Sequence, residues 1–98
     1  MRIPMVAGLA YRERLAGLPE RFAVTLMPEP EQPYNPKALA VHASVGKIGY
    51  VAPEIARLIY DGVAEAGTAS LEARRVTGST GRGAGTEVWL DVSGVAAP

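Results

Sequence analysis

The sequence predicts a β-rich fold, all-β or α+β, in which six short strands form a small antiparallel sheet with one amphipathic helix. Two observations carry this prediction. Apolar and polar residues alternate over several short stretches, which is the period of a half-buried strand. Helical periodicity occurs once, and the strand-helix-strand rhythm of a parallel sheet is missing. We therefore expect a strongly bent sheet or a partly closed barrel that the helix plugs.

The first four strands follow from alternation and from turn residues. Residues 3–10 are apolar and predict a strand that leads into an irregular, charged connection. Residues 21–27 alternate and are expected to end at Pro28, because proline donates no backbone hydrogen bond. Residues 37–43 and 47–51 alternate on either side of a glycine turn, which is typical of a hairpin of two antiparallel strands.

A single helix is predicted at about residues 53–66. Pro53 suits the first helical position, where an amide hydrogen has no partner, and Glu54 places negative charge at the positive end of the helix dipole. Gly67 is a helix-ending residue. The apolar positions recur at helical spacing and are Ile55, Leu58, Ile59 and Val63.

Two more strands are predicted in the last third of the chain, at residues 68–77 and 86–95. The glycine-rich segment 78–85 between them predicts a flexible hairpin loop, and residues 96–98 predict a loose tail. Trp89 lies opposite the apolar set of its strand, so it either covers an open end of the barrel or marks a partner surface. Arg74, Arg75 and Arg82 either follow a nucleic-acid backbone or serve solubility.

Composition limits the classes of function. The 98 residues predict one domain, residues 1–98, and ten basic residues balance ten acidic ones, so that only a local patch can attract nucleic acid. There is no cysteine and one histidine, His42, and we expect no metal or cofactor. No apolar stretch has the length of a signal-sequence core or a membrane span, and we expect a soluble, cytoplasmic protein without membrane contact.

Three motifs together resemble the HIRAN domain, which occurs fused to DNA-remodelling ATPases of the SWI/SNF type and as short stand-alone bacterial proteins. They are the segment Leu26–Pro30, the run Pro33–Val41 with its Pro-Tyr-Asn turn, and Gly49-Tyr50-Val51 before the helix. The resemblance covers about residues 5–66. It implies an OB-like β-barrel that captures single-stranded DNA and holds a free 3′-hydroxyl end in a pocket.

The resemblance also assigns the residues of this pocket. Tyr11 and Tyr34 stand where the family stacks aromatic rings on a terminal base, although Tyr34 also suits a structural role under its turn. Asn35 replaces the family's aspartate and keeps an oxygen that accepts a hydrogen bond. Tyr50 occupies a place that DNA-binding members give to histidine. Two basic residues of those members are replaced by Ala10 and Pro53.

Arg12 and Arg14 follow Tyr11 closely and are predicted phosphate contacts, the alternative being a solvated loop that also holds Glu13. We therefore predict weak binding of single-stranded DNA or DNA 3′ ends. A second hypothesis is an adaptor that recruits or regulates a DNA-processing protein through an exposed strand edge. An enzyme is not expected, because neither an activated nucleophile nor a converging pair of carboxylates is evident.

Overall fold

Six antiparallel strands form a closed barrel in the structure, a computed structural model that describes residues 2–33, 35–77 and 86–92. Around the barrel the strand order is β1-β4-β3-β2-β5-β6, and β6 pairs back onto β1. The strands are β1 (Arg2–Val6), β2 (Arg21–Glu29), β3 (Ala38–Ala43), β4 (Gly46–Val51), β5 (Ala69–Thr77) and β6 (Thr86–Asp91). The predicted β-rich class and the β3–β4 hairpin are confirmed.

Four predictions concern residues that lie outside the described part of the chain. They are the stacking role of Tyr34, the flexible loop at 78–85 with Arg82, the end of the last strand at Val95, and the tail at 96–98.

The main helix, α2 (Pro53–Ala66), has the predicted bounds. Pro53 lies in its first turn with Glu54, and Gly67 follows its last residue with a φ of 91°. Its apolar face packs on β2 and β3 and buries Ala56, Ile59 and Val63. The helix therefore closes one side of the core, as a plug of the barrel was expected to do.

A second, short helix replaces the predicted irregular connection. β1 ends at Val6, and a 3₁₀-helix at Gly8–Tyr11 leads directly into α1 (Arg12–Ala16). The predicted strand at 3–10 is present but ends four residues early, at Val6, because the burial of Leu15 and Leu18, each 4% exposed, draws the following segment onto the core. One turn of helix is too short to give a periodic signal in the sequence.

β2 continues two residues beyond its predicted end at Met27. β5 pairs with β2 only as far as Leu26, so Pro28 lies where β2 has β3 as its one neighbour. A residue without an amide hydrogen is tolerated there, because no ladder hydrogen bond is lost on the open side. The extension places Glu29 on the barrel wall.

The closed ring gives each of the six described strands a neighbour on both sides. The adaptor hypothesis drew on an exposed strand edge for a partner strand, and among the described strands only short stretches such as β2 beyond Leu26 have a single neighbour. An adaptor role stays a prediction that needs another surface.

Candidate nucleic-acid interface

Arg14 fastens the short helix α1 to the start of β4. Its Nη1 atom donates a hydrogen bond of 2.8 Å to the backbone oxygen of Lys47. The same guanidinium lies against Gly46, where an added Cβ would come within 3.2 Å of Nη1. Gly46 also has a φ of 109°, a conformation that glycine adopts without strain. Gly46 therefore has two roles: it adopts the backbone conformation of the hairpin turn, and it leaves room for the Arg14 guanidinium.

Tyr11 lies directly beside this anchor. The centre of its ring is 5.6 Å from the Cζ atom of Arg14, within the range of a cation–π contact. Tyr11 is half-buried, whereas Arg12 and Arg14 are exposed. An open depression of about 590 Å³ is lined by Ala10, Tyr11, Arg12, Glu13 and Arg14. The segment thus presents an aromatic ring and two guanidinium groups around one concave surface.

On the far side of Lys47, three side chains from β2 and β4 form a hydrogen-bonded cluster. Lys47 Nζ donates to Glu29 Oε2 at 2.9 Å and to the Tyr50 hydroxyl at 3.0 Å. The Tyr50 hydroxyl donates to Glu29 Oε1 at 2.6 Å. Lys47 Nζ also lies 5.1 Å from the centre of the Tyr50 ring. The hydroxyl of Tyr50 is therefore engaged within the protein.

These contacts shift two titrations in opposite directions. The hydrogen bond from Lys47, followed by the bond from Tyr50, holds the pKa of Glu29 below its ordinary value of 4.5. The hydrogen bonds to Glu29 and Tyr50 raise the pKa of Lys47 above its ordinary value of 10.5. The side chains of Lys47 and Glu29 are 25% and 27% exposed, so solvent screens the pair only in part. Both groups are charged at neutral pH.

Asn35 stabilises the turn in which it lies. Its Oδ1 accepts a hydrogen bond of 3.2 Å from the Lys37 amide, and its backbone oxygen accepts one of 3.0 Å from the Ala38 amide. This is the way in which an asparagine side chain replaces a backbone group in a turn. The connection that contains this turn starts at Glu29, the last residue of β2. Glu29 accepts the hydrogen bond from the Tyr50 hydroxyl. Asn35 therefore lies on the connection that leaves the cluster.

The structure brings together some of the predicted site residues. Tyr11, Arg14 and Tyr50 are joined in one chain of contacts through Lys47, and Arg12 lines the same depression as Tyr11. The hydrogen bonds that Asn35 forms with Gln32, Lys37 and Ala38 stay within its turn.

Sequence reasoning missed Lys47 and Glu29, which connect the parts of this site. Lys47 is three residues before Tyr50 on the same predicted strand, where regular alternation puts the two side chains on opposite faces, so the pattern did not signal their contact. Glu29 gave no signal either, because the prolines around it predicted the end of the strand.

Within the described residues, no group of three or more histidine, cysteine or acidic side chains is placed to hold a metal ion. No described helix has both the length and the apolar character that are needed to cross a bilayer.

No protein-family model matches the chain, and comparisons with curated proteins and with solved structures found no match. The resemblance to the HIRAN domain therefore stays a prediction, and the case for a function depends on the geometry of this site.

Proposed function

We propose that this protein is a nucleic-acid-binding module that binds single-stranded DNA weakly and holds a free 3′ end in the depression beside Tyr11. The observation that carries the proposal is a half-buried tyrosine ring that lines one concave surface together with two exposed arginines. Bases stack on such rings with little regard for sequence, and arginines track the backbone phosphates. The HIRAN resemblance supports the same ligand.

Arg14 and Arg12 take the phosphate groups in this proposal. A guanidinium has five N–H donors, and the hydrogen bond to Lys47 uses one donor of Arg14. The remaining N–H groups of Arg14 are available to a phosphate, and the anchor at Gly46 limits the entropy that the side chain loses on binding. Arg12 is exposed and adds a second positive charge at the rim.

Tyr50 acts as a positioning residue rather than as an open stacking platform. Its hydroxyl is bonded to Glu29 and Lys47, and Lys47 in turn offers its backbone oxygen to Arg14. Asn35 and Tyr34 belong to the connection that begins at this cluster, and in the proposal they form the second wall of the pocket for the 3′-terminal nucleotide.

Tyr11→Ala tests the stacking step. Stacking on an aromatic side chain contributes about 1–3 kcal/mol per base, so the dissociation constant for a short single-stranded DNA should rise about tenfold or more. The measurement is fluorescence anisotropy of a labelled oligonucleotide at low salt.

Tyr11→Phe is the matched control, because it keeps the ring and should keep the affinity. Each protein is titrated with oligonucleotides whose 3′ ends are free or blocked, and the free end should bind more tightly. Equal affinity of Tyr11→Ala and the unchanged protein would overturn the proposed site. Equal affinity for both ends would overturn the end preference.

A further inference from the structure

The outer wall of the barrel carries a row of four residues that the Tyr11 site does not use. Pro4, Trp89, Arg74 and Arg21 are partners in register across four neighbouring strands. Val88 and Leu90, which flank Trp89 in the sequence, are buried, so alternation along β6 directs the Trp89 side chain to the outside of the barrel. We call Trp89, Arg74 and Arg21 the tryptophan face.

Trp89 is half-buried, and the adjacent Arg74 forms an ion pair with Glu20. Arg74 Nη2 reaches Glu20 Oε1 at 3.2 Å. The ion pair is at the surface, with side chains 41% and 68% exposed, and solvent-exposed pairs of this kind contribute little to stability. A ligand anion can therefore replace Glu20 at low cost, and the half-buried indole has no described cation over it.

Arg74 and Arg21 stand directly opposite each other on neighbouring strands. Like charges at directly opposed positions destabilise a sheet, and an anion placed between them removes this cost. Neighbouring strands are about 4.8 Å apart, so the two arginines lie about one and two strand spacings from Trp89. A base on the indole can then reach both arginines with its adjoining phosphates.

The next row of the wall adds a third arginine beside Trp89. Glu72 and Asp91 are partners in this row, and Arg2 is the partner of Asp91. A small cleft of about 90 Å³ beside Trp89 is lined by residues of both rows. Three arginines and two carboxylates line this cleft, so its formal charge is positive and suits a phosphate.

We propose that the tryptophan face is a second binding site for single-stranded nucleic acid, in which one base stacks on Trp89 and the adjoining phosphates contact Arg74 and Arg21. This site goes beyond the pocket proposed at Tyr11 and stands on its own residues. With this second site the protein contacts internal nucleotides of the single-stranded nucleic acid as well as its 3′ end.

The single tryptophan of the chain makes a selective test possible. A base that stacks on Trp89 quenches its emission, which is excited at wavelengths that tyrosine does not absorb. A short oligothymidylate at low salt should quench the emission, and free thymidine monophosphate at the same nucleotide concentration should not. Arg74→Ala and Arg21→Ala should each weaken the quenching titration several-fold.

Two variants separate this site from other effects. Arg57→Ala removes an exposed arginine from α2 and should leave the titration unchanged. Tyr11→Ala should keep the Trp89 quenching, so that failure at the Tyr11 pocket and failure at the tryptophan face give different results. The proposal is overturned if the oligonucleotide leaves the emission unchanged, if the monophosphate quenches equally, or if Arg57→Ala weakens the titration as much as Arg74→Ala.

Discussion

At the scale of single residues, Glu29 fixes the positions of Lys47 and Tyr50 in the candidate interface. Its two carboxylate oxygens accept from Lys47 and Tyr50, and it connects β2 with β4 by charge-assisted hydrogen bonds. His42 adds a weaker attraction from β3. Since the pair is only about one-quarter exposed, we expect it to contribute more than a fully solvated ion pair.

Glu29→Gln should lower the free energy of unfolding by about 1 kcal/mol at neutral pH, because the charge-assisted bonds weaken. The pKa of Glu29 is lowered in the folded protein, so its stabilising effect is present above its ordinary value of 4.5 and is lost as the pH falls through the folded pKa. Lys47 has a raised pKa, and its effect is present below 10.5 and is lost as the pH rises through the folded pKa.

Urea unfolding of both proteins from neutral to acid pH checks this prediction. The difference between them should be largest at neutral pH and should narrow in acid below pH 4.5. A difference that is constant through this range would contradict the assignment of the carboxylate.

The individual site residues were predicted in two ways, by the HIRAN resemblance for the tyrosines and Asn35 and by closeness to Tyr11 for Arg12 and Arg14. Tyr11 was found through the resemblance, and the structure gives it a neighbouring depression. The engagement of the Tyr50 hydroxyl could not be predicted, because it depends on a residue that is distant in sequence, Glu29, whose strand was expected to have ended. Side-chain partners across strands follow from register, which alternation alone does not fix.

At the scale of elements, the approach of β1 to β4 shapes the wall behind the site. A Cβ added at Gly49 would lie 2.7 Å from the side chain of Met5 and 2.7 Å from the backbone oxygen of Val6. Since a backbone oxygen does not move away easily, only glycine allows β1 to pass so close. β1 then turns into the 3₁₀-helix that carries Tyr11, so this crossing sets where the ring lies.

Gly49→Ala should destabilise the fold by about 1–3 kcal/mol, which is the usual cost of overpacking. Gly17→Ala is the matched control, because its added Cβ would meet its nearest atom at an ordinary 3.9 Å and no positive φ is involved. Thermal unfolding of the two variants should show a lowered midpoint for Gly49→Ala alone. Equal midpoints would show that the two strands separate without cost.

At the scale of the whole molecule, the strands and α2 were predictable from periodicity, whereas the closure of the barrel was not. Pairing of β6 with β1 joins the two ends of the described chain, and no local pattern reports such a contact. The equal numbers of basic and acidic residues also limit how the protein can attract nucleic acid. Any affinity for nucleic acid must come from local groups rather than from a long-range field.

This neutrality predicts a shallow salt dependence. Each phosphate neutralised on a single strand contributes about −0.7 to the slope of log K against log salt, so Arg12 and Arg14 together predict about −1.4. The slope is measured in a background that carries Arg21→Ala and Arg74→Ala, so that the phosphate contacts proposed for the tryptophan face do not contribute to it. Arg12→Ala should reduce it by about half. A steep slope that Arg12→Ala leaves unchanged would place the phosphates elsewhere.

The most direct test of the central claim is a map of backbone amide chemical shifts as a short single-stranded DNA with a free 3′ end is added. The Tyr11 interface predicts that the largest changes fall on residues 10–14 and 46–50, with a separate group around Trp89. Changes confined to α2, or no changes at low salt, would contradict a nucleic-acid interface at this wall of the barrel.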